Sequence, residues 1–108
     1  MVYKDFVFFD SESAGTVSNV LIVPNQGEEL RLHVTDLGGG VDLVVEGKTD
    51  IVDGSWATLG CISLKDFSIG EKIEAEGEYA VAAGGIQKIR ITNNGTAGGV
   101  KVFGFVLA

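Results

Sequence analysis

The sequence predicts an all-β protein, an antiparallel β-sandwich of jelly-roll-like type with about eight strands, in one domain spanning residues 1–108. Three observations lead there. Apolar residues recur with a period of two between turn signals, the pattern of half-buried strands. Glycine is abundant, 16 in 108 residues, about twice its usual share, and it is scattered without a collagen period. Helical periodicity of useful length is missing: the one tempting stretch, 66–83, is interrupted by Gly70 and Gly77. A chain of this length buries roughly two-thirds of its surface on folding, so its core needs no disulfide or metal. The composition, 45% hydrophobic and 21% charged, is that of a folded domain and excludes a disordered tail.

The first strand is placed near 3–9, around Phe6-Val7-Phe8-Phe9. The second, near 17–23, holds Val20-Leu21-Ile22-Val23 and stops at Pro24, which cannot donate to a ladder. The third, 29–35, alternates most cleanly: Leu30, Leu32 and Val34 take one face, Arg31 and His33 the other. After Gly38-Gly39-Gly40 the fourth, 41–46, repeats the pattern with Val41, Leu43 and Val45. The fifth, 55–63, carries Trp56 and Cys61, and a short extended piece is expected near 67–74. Tyr79 and Val81 mark the sixth, 78–83, joined tightly through Gly84-Gly85 to the seventh, 86–92, with Ile89 and Ile91. Asn94-Gly95 followed by Gly98-Gly99 suits a hairpin loop with positive φ leading into the last strand, 99–107.

Several strands break the alternation. The last carries Val100, Val102 and Val106 on one face and Lys101, Phe103, Phe105 and Leu107 on the other; the segments 6–9 and 20–23 are likewise apolar on both faces. A solvated outer face is the usual arrangement for an antiparallel sheet, and a large exposed apolar patch is unusual on a monomer. Burying one Phe or Leu contributes about 1.5–3 kcal/mol, so these faces should be covered. The cover is either the chain itself, through 10–19 or 46–55, or a second copy. Association is preferred because two separate segments show the excess. The expected contacts are Phe103, Phe105 and Leu107, with Phe6 and Phe8 or their neighbours Val7 and Phe9, depending on register.

The chemistry-bearing residues point away from catalysis. The net charge is −7 and the basic residues are dispersed, which excludes the basic face that nucleic acid or an anionic membrane would require. Acidity of this kind serves solubility. Cys61 is the only cysteine, so no intrachain disulfide forms, and its apolar surroundings suit packing better than nucleophilic chemistry. His33 is the only histidine, placed on the polar side of its strand with no nucleophile elbow in the sequence, so no triad is expected. One His and one Cys do not make a zinc site. Asp50 and Asp53 sit in an acidic loop; calcium there is weighed against a solvated loop, and the solvated loop is preferred because the EF-hand pattern is missing. Asp42 and Glu46 share an outer strand face, but a paired-carboxylate cleft needs more chain than this. No cofactor is expected and no enzyme activity is assigned. The N-terminal residues carry charge where a signal peptide needs an apolar core, and no apolar run reaches ~20 residues; synthesis in the cytoplasm is expected. Trp56 and Tyr79 are the aromatic pair for an alternative reading, a carbohydrate-binding module with a stacking platform, although their apolar neighbours suit core positions better.

The C-terminal half, with Trp56-x-x-Leu59, Gly77-x-Tyr79-x-Val81, Ile89-Arg90-Ile91 and Gly98-Gly99-Val100-x-Val102-x-Gly104, resembles the small β-sandwich virion accessory proteins of tailed bacteriophages and prophages. This packing-and-turn pattern covers about half the chain. The resemblance implies a non-enzymatic structural or adaptor domain that forms symmetric oligomers, commonly trimers, within or on a virion and contacts other virion proteins. It carries over no catalytic residues.

Overall fold

The computed structural model describes residues 5–10, 17–49, 56–95 and 99–107. Ten strands follow in chain order: β1 (Phe6–Asp10), β2 (Leu21–Ile22), β3 (Glu29–Thr35), β4 (Leu43–Lys48), β5 (Ala57–Thr58), β6 (Cys61–Ser63), β7 (Ile69–Gly70), β8 (Gly77–Ala82), β9 (Lys88–Asn93) and β10 (Lys101–Leu107). They form a six-stranded sheet, β1-β10-β3-β8-β6-β7, and a four-stranded sheet, β2-β9-β4-β5. Every pairing is antiparallel. The chain is therefore an all-β sandwich, as its alternation predicts.

The alternating residues account for the core. Leu30, Leu32 and Val34 of β3 are buried beside Tyr79 and Val81 of β8 and Val102 and Val106 of β10; Leu43 and Val45 of β4 and Ile89 and Ile91 of β9 fill the cluster from the other sheet. One Val, Leu or Ile removed from water contributes about 1.5–3 kcal/mol, so these two inner faces hold the layers together.

The expected hairpins are crossings between sheets. Gly38-Gly39-Gly40 leads from β3 in the large sheet to β4 in the small one, Gly84-Gly85 takes β8 to β9, and the Asn94-Gly95 segment returns toward β10. Positive φ is found at Gly40 and Gly85. Gly95 is required for a different reason, close approach: a Cβ there would lie 2.0 Å from the Gly40 carbonyl oxygen. Buried Asn93 fixes this corner, its Oδ1 accepting from the backbone N–H groups of Asp42 (3.1 Å) and Gly95 (3.0 Å).

Two expected strands are altered. The 55–63 segment divides into β5 and β6, which belong to different sheets. Leu59 is the reason: its N–H donates to Val45 at 2.8 Å and its side chain fills the space over Gly47, after which the chain crosses. In the 17–23 segment only Leu21–Ile22 forms a strand. Ser18 exchanges hydrogen bonds with Ile91 in the small sheet, while Asn19 donates to the carbonyls of Val7 and Phe8 in the large one. These polar residues stitch one edge of the sandwich. The stitching uses carbonyls beside a bulge in β1, where the register with β10 shifts between Val7 and Phe9.

Gly104 sits where β10 presses on β3: a Cβ would meet the Arg31 carbonyl oxygen at 2.2 Å. Gly104→Ala should therefore lower unfolding stability by about 1–3 kcal/mol, the range for overpacking. Gly39→Ala, at a position with open space around it, should stay within about 0.5 kcal/mol of the parent. Urea titration of the two variants checks both values, and equal midpoints would refute the close approach.

Candidate functional site: the outer face of the six-stranded sheet

The same pleat that buries Leu30, Leu32 and Val34 turns Arg31 and His33 outward. Register then lays out rows across the sheet. Val7, Phe103, His33 and Glu78 form one row, through the pairs Val7–Phe103, Phe103–His33 and His33–Glu78. Phe105, Arg31, Ala80, Ile62 and Ile69 form the next. Leu107, Glu29 and Ala82 follow. A further row, Asp10, Lys101 and Thr35, is polar, so the outer face interleaves apolar side chains with charged ones.

Its central feature is a groove of about 230 Å³ lined by Phe103, Phe105, Leu64, Arg31, His33, Glu78 and Asp5, with the Leu32 and Gly104 segments as floor. Phe103 lies against His33, ring centroids 5.0 Å apart, and His33 Nδ1 is 3.4 Å from Glu78 Oε1. Arg31 Nε pairs with Glu29 across one pleat of β3. Arg31 is thus paired with Glu29, Glu78 makes a polar contact with His33, and Asp5 adds a further carboxylate to the groove wall beside the two phenyl rings.

Phe103, Phe105 and Leu107 all face outward and are half-buried. Phe6 and Phe8 do not join them: Phe8 is 2% exposed in the core, and Phe6 packs edge-on against it at 4.9 Å. The β1 bulge turns Phe9 inward as well, leaving Val7, 46% exposed, as the outward residue of this strand. Sequence reasoning missed Arg31, Leu64 and Glu78 as groove residues, because only the long-range pairing of β3, β8 and β6 brings them together.

Trp56 and Tyr79 do not make a platform. Tyr79 is buried in the core, where its hydroxyl donates to the Ala75 carbonyl at 2.7 Å and desolvation raises its pKa. Trp56 lies outside the four-stranded sheet under Arg90, whose guanidinium carbon is 4.3 Å from the ring centroid, and near Lys48 at 5.5 Å. Arg90 is held in turn by Glu46 at 2.9 Å. One aromatic is inside and the other is covered by cations, so the carbohydrate reading loses its surface. Asp42 pairs with Lys72 at 3.3 Å, so Asp42 and Glu46 serve separate ion pairs. Asp50 and Asp53 lie outside the described residues.

Cys61 is buried against Val81, and burial pushes its thiol up from 9.0 to about 11. It faces inward while His33 faces outward, so the two cannot cooperate. Among the described residues no three potential metal ligands cluster, and no helix is long and apolar enough to cross a membrane.

Fold and surface together define a β-sandwich whose most developed feature is a grooved sheet face of phenyl rings interleaved with charged side chains. No family model and no curated protein sequence matches the chain. Among solved structures it is similar to the SPBc2 prophage-derived protein YomS, at 17% identity and a TM-score of 0.85, covering 100% of this chain and 96% of that one. It is also similar to the PBSX exported protein XepA, at 21% identity and a TM-score of 0.85, covering 100% of this chain and 38% of the longer XepA chain. At these identities the likeness is one of fold, and it spans the entire chain.

Cys61 yields a prediction. Unfolding releases a proton between pH 9.0 and about 11, so the associated stability is fully present below the unfolded value and is lost as pH rises through that window. A disulfide reagent at mildly alkaline pH should label the native protein far more slowly than the denatured one. Rapid stoichiometric labelling of the native state would show that the thiol is accessible.

Proposed function

We propose that this protein is a non-enzymatic structural or adaptor component of phage or prophage origin, which self-associates through the outer face of its six-stranded sheet and contacts other virion proteins. The observation that carries the reading is the placement of Phe103, Phe105 and Leu107 on the solvent side of the sheet, continuous with Val7 at one edge and with Ile62 and Ile69 at the other.

The breadth of the face supports it: β3 and β10 each run seven residues, about 24 Å at 3.4 Å per residue, with the six-residue β8 beside them. The composition fits as well, since aromatic residues and Arg are enriched at interfaces, and Phe103, Phe105 and Arg31 stand side by side on this face. Prophage origin is supported by the two solved neighbours. The absence of catalysis is supported by the inward Cys61 and by the separate ion pairs of Asp42 and Glu46.

Mass measured by light scattering from micromolar to millimolar concentration should rise to a defined oligomer, for which the sequence resemblance favours a trimer. Phe103→Ser with Phe105→Ser should return the mass to that of one chain. Because both side chains are only half-buried, the doubly substituted protein should still melt cooperatively, losing about 1–3 kcal/mol of stability. A parent protein that stays monomeric up to millimolar concentration would remove the self-association reading.

A further inference from the structure

We propose that Phe67 of one copy is the side chain that fills the Phe103–Phe105–Leu64 groove of another; this deepens, and rests on, the self-association reading above. Phe67 stands at the turn between β6 and β7, 74% exposed, with a φ of +60°. For a bulky residue that backbone conformation is an outlier, and such outliers persist where the surroundings over-determine them and function uses them.

The surroundings do over-determine it. The Phe67 N–H donates to the Ser63 carbonyl at 2.7 Å, and the Ser63 N–H donates to the Ser68 carbonyl at 2.9 Å. Asp66 Oδ1 accepts from both the backbone N–H (3.0 Å) and the hydroxyl (2.7 Å) of Ser68, bonds that also hold its carboxyl below the usual range. The ring is therefore offered from a rigid tip, so docking it requires little further ordering, the term that usually erodes interface affinity.

The groove fits that ring. Its 230 Å³ exceeds the roughly 150 Å³ that an apolar cavity needs to hold benzene, and two of its walls are phenyl rings that can meet a third edge-on or offset. The borders are complementary too: Lys65, exposed two residues before Phe67, matches Asp5 and Glu78 on the groove wall. Leu64 lines the groove and begins the same turn that presents Phe67. Projecting ring and receiving groove thus belong to one end of one sheet, so each copy can offer its ring to a neighbour and receive one in return within a closed symmetric oligomer.

The test is Phe67→Asn in the intact chain, because Asn tolerates left-handed backbone. The variant should melt at or above the parent temperature and should associate at least tenfold more weakly. A second measurement mixes Phe67→Asn, which keeps the groove, with Phe105→Ser, which keeps the projecting ring. The mixture should form mixed oligomers at concentrations where either variant alone stays monomeric. Parent-like association of Phe67→Asn, with association lost in Phe103→Ser/Phe105→Ser, would overturn the Phe67 contact while leaving the sheet face as the interface. A mixture no more associated than its components would also overturn it. A parent protein that never associates would overturn the interface itself and this contact with it.

Discussion

The register of β3 between β10 and β8 is the constraint on which the rest of the structure depends. β3 pairs with β10 over seven residues, from Lys101–Thr35 to Leu107–Glu29, and with β8 over six. In this register Leu30, Leu32 and Val34 point into the sandwich, each no more than 2% exposed. A slip of one residue would put Arg31 and His33 there instead. Burying a charged guanidinium without a partner costs far more than any single apolar contact returns, so the alternative is closed. The same register sets Phe103 beside His33 and Phe105 beside Arg31 on the other side. The core and the outer groove are two consequences of one pairing.

The two outer faces of the sandwich then differ in how they treat their aromatic residues. On the four-stranded sheet, Trp56 has its cover from within the chain: Arg90 stacks over it and Glu46 holds Arg90 in place. That arrangement satisfies the indole surface and the guanidinium together. On the six-stranded sheet, Phe103 lies tilted against His33, and the groove beside it stays open. The exposed Val20 and Ile22, beside and within the two-residue edge strand β2, offer no comparable breadth. The proposed interface therefore falls on the large sheet, where the rings have less cover from within the chain.

Much of this was legible in the residues. β3 occupies 29–35 as its alternation predicts, and β8, β9 and β10 fall within two residues of their expected bounds, because each buries one face and the period-two pattern reports that directly. The outward set Phe103, Phe105 and Leu107 followed from the same pattern. Sheet membership did not. Asn94-Gly95 looks like a hairpin locally, yet the chain crosses layers there, and only the fit of Gly95 against the Gly40 carbonyl decides it. Phe8 and Phe9 could not both be placed inward by alternation, since a bulge is needed, and Asn19, which binds the β1 carbonyls beside it, lies a dozen residues away. Arg90 over Trp56 and Glu78 beside His33 were illegible for the same reason: each is a contact between strands far apart in sequence.

Local rules that the chain otherwise follows show where folding alone stops explaining it. Among the described residues, positive φ occurs at Gly40, Gly77 and Gly85 and at Asp36, all residue types that accept it at low cost, and at Phe67. A chain with glycine so freely available has a phenylalanine at the one turn where glycine or asparagine would relieve the backbone. It leaves that ring 74% exposed and follows it with Ile69 at 76%. Neither feature adds to the core, and both work against solubility. When local propensity, burial and backbone geometry agree nearly everywhere, the place where all three disagree is where something besides stability has set the residue. Here that place adjoins the groove wall at Leu64, so the strain and the unfilled volume are parts of one surface.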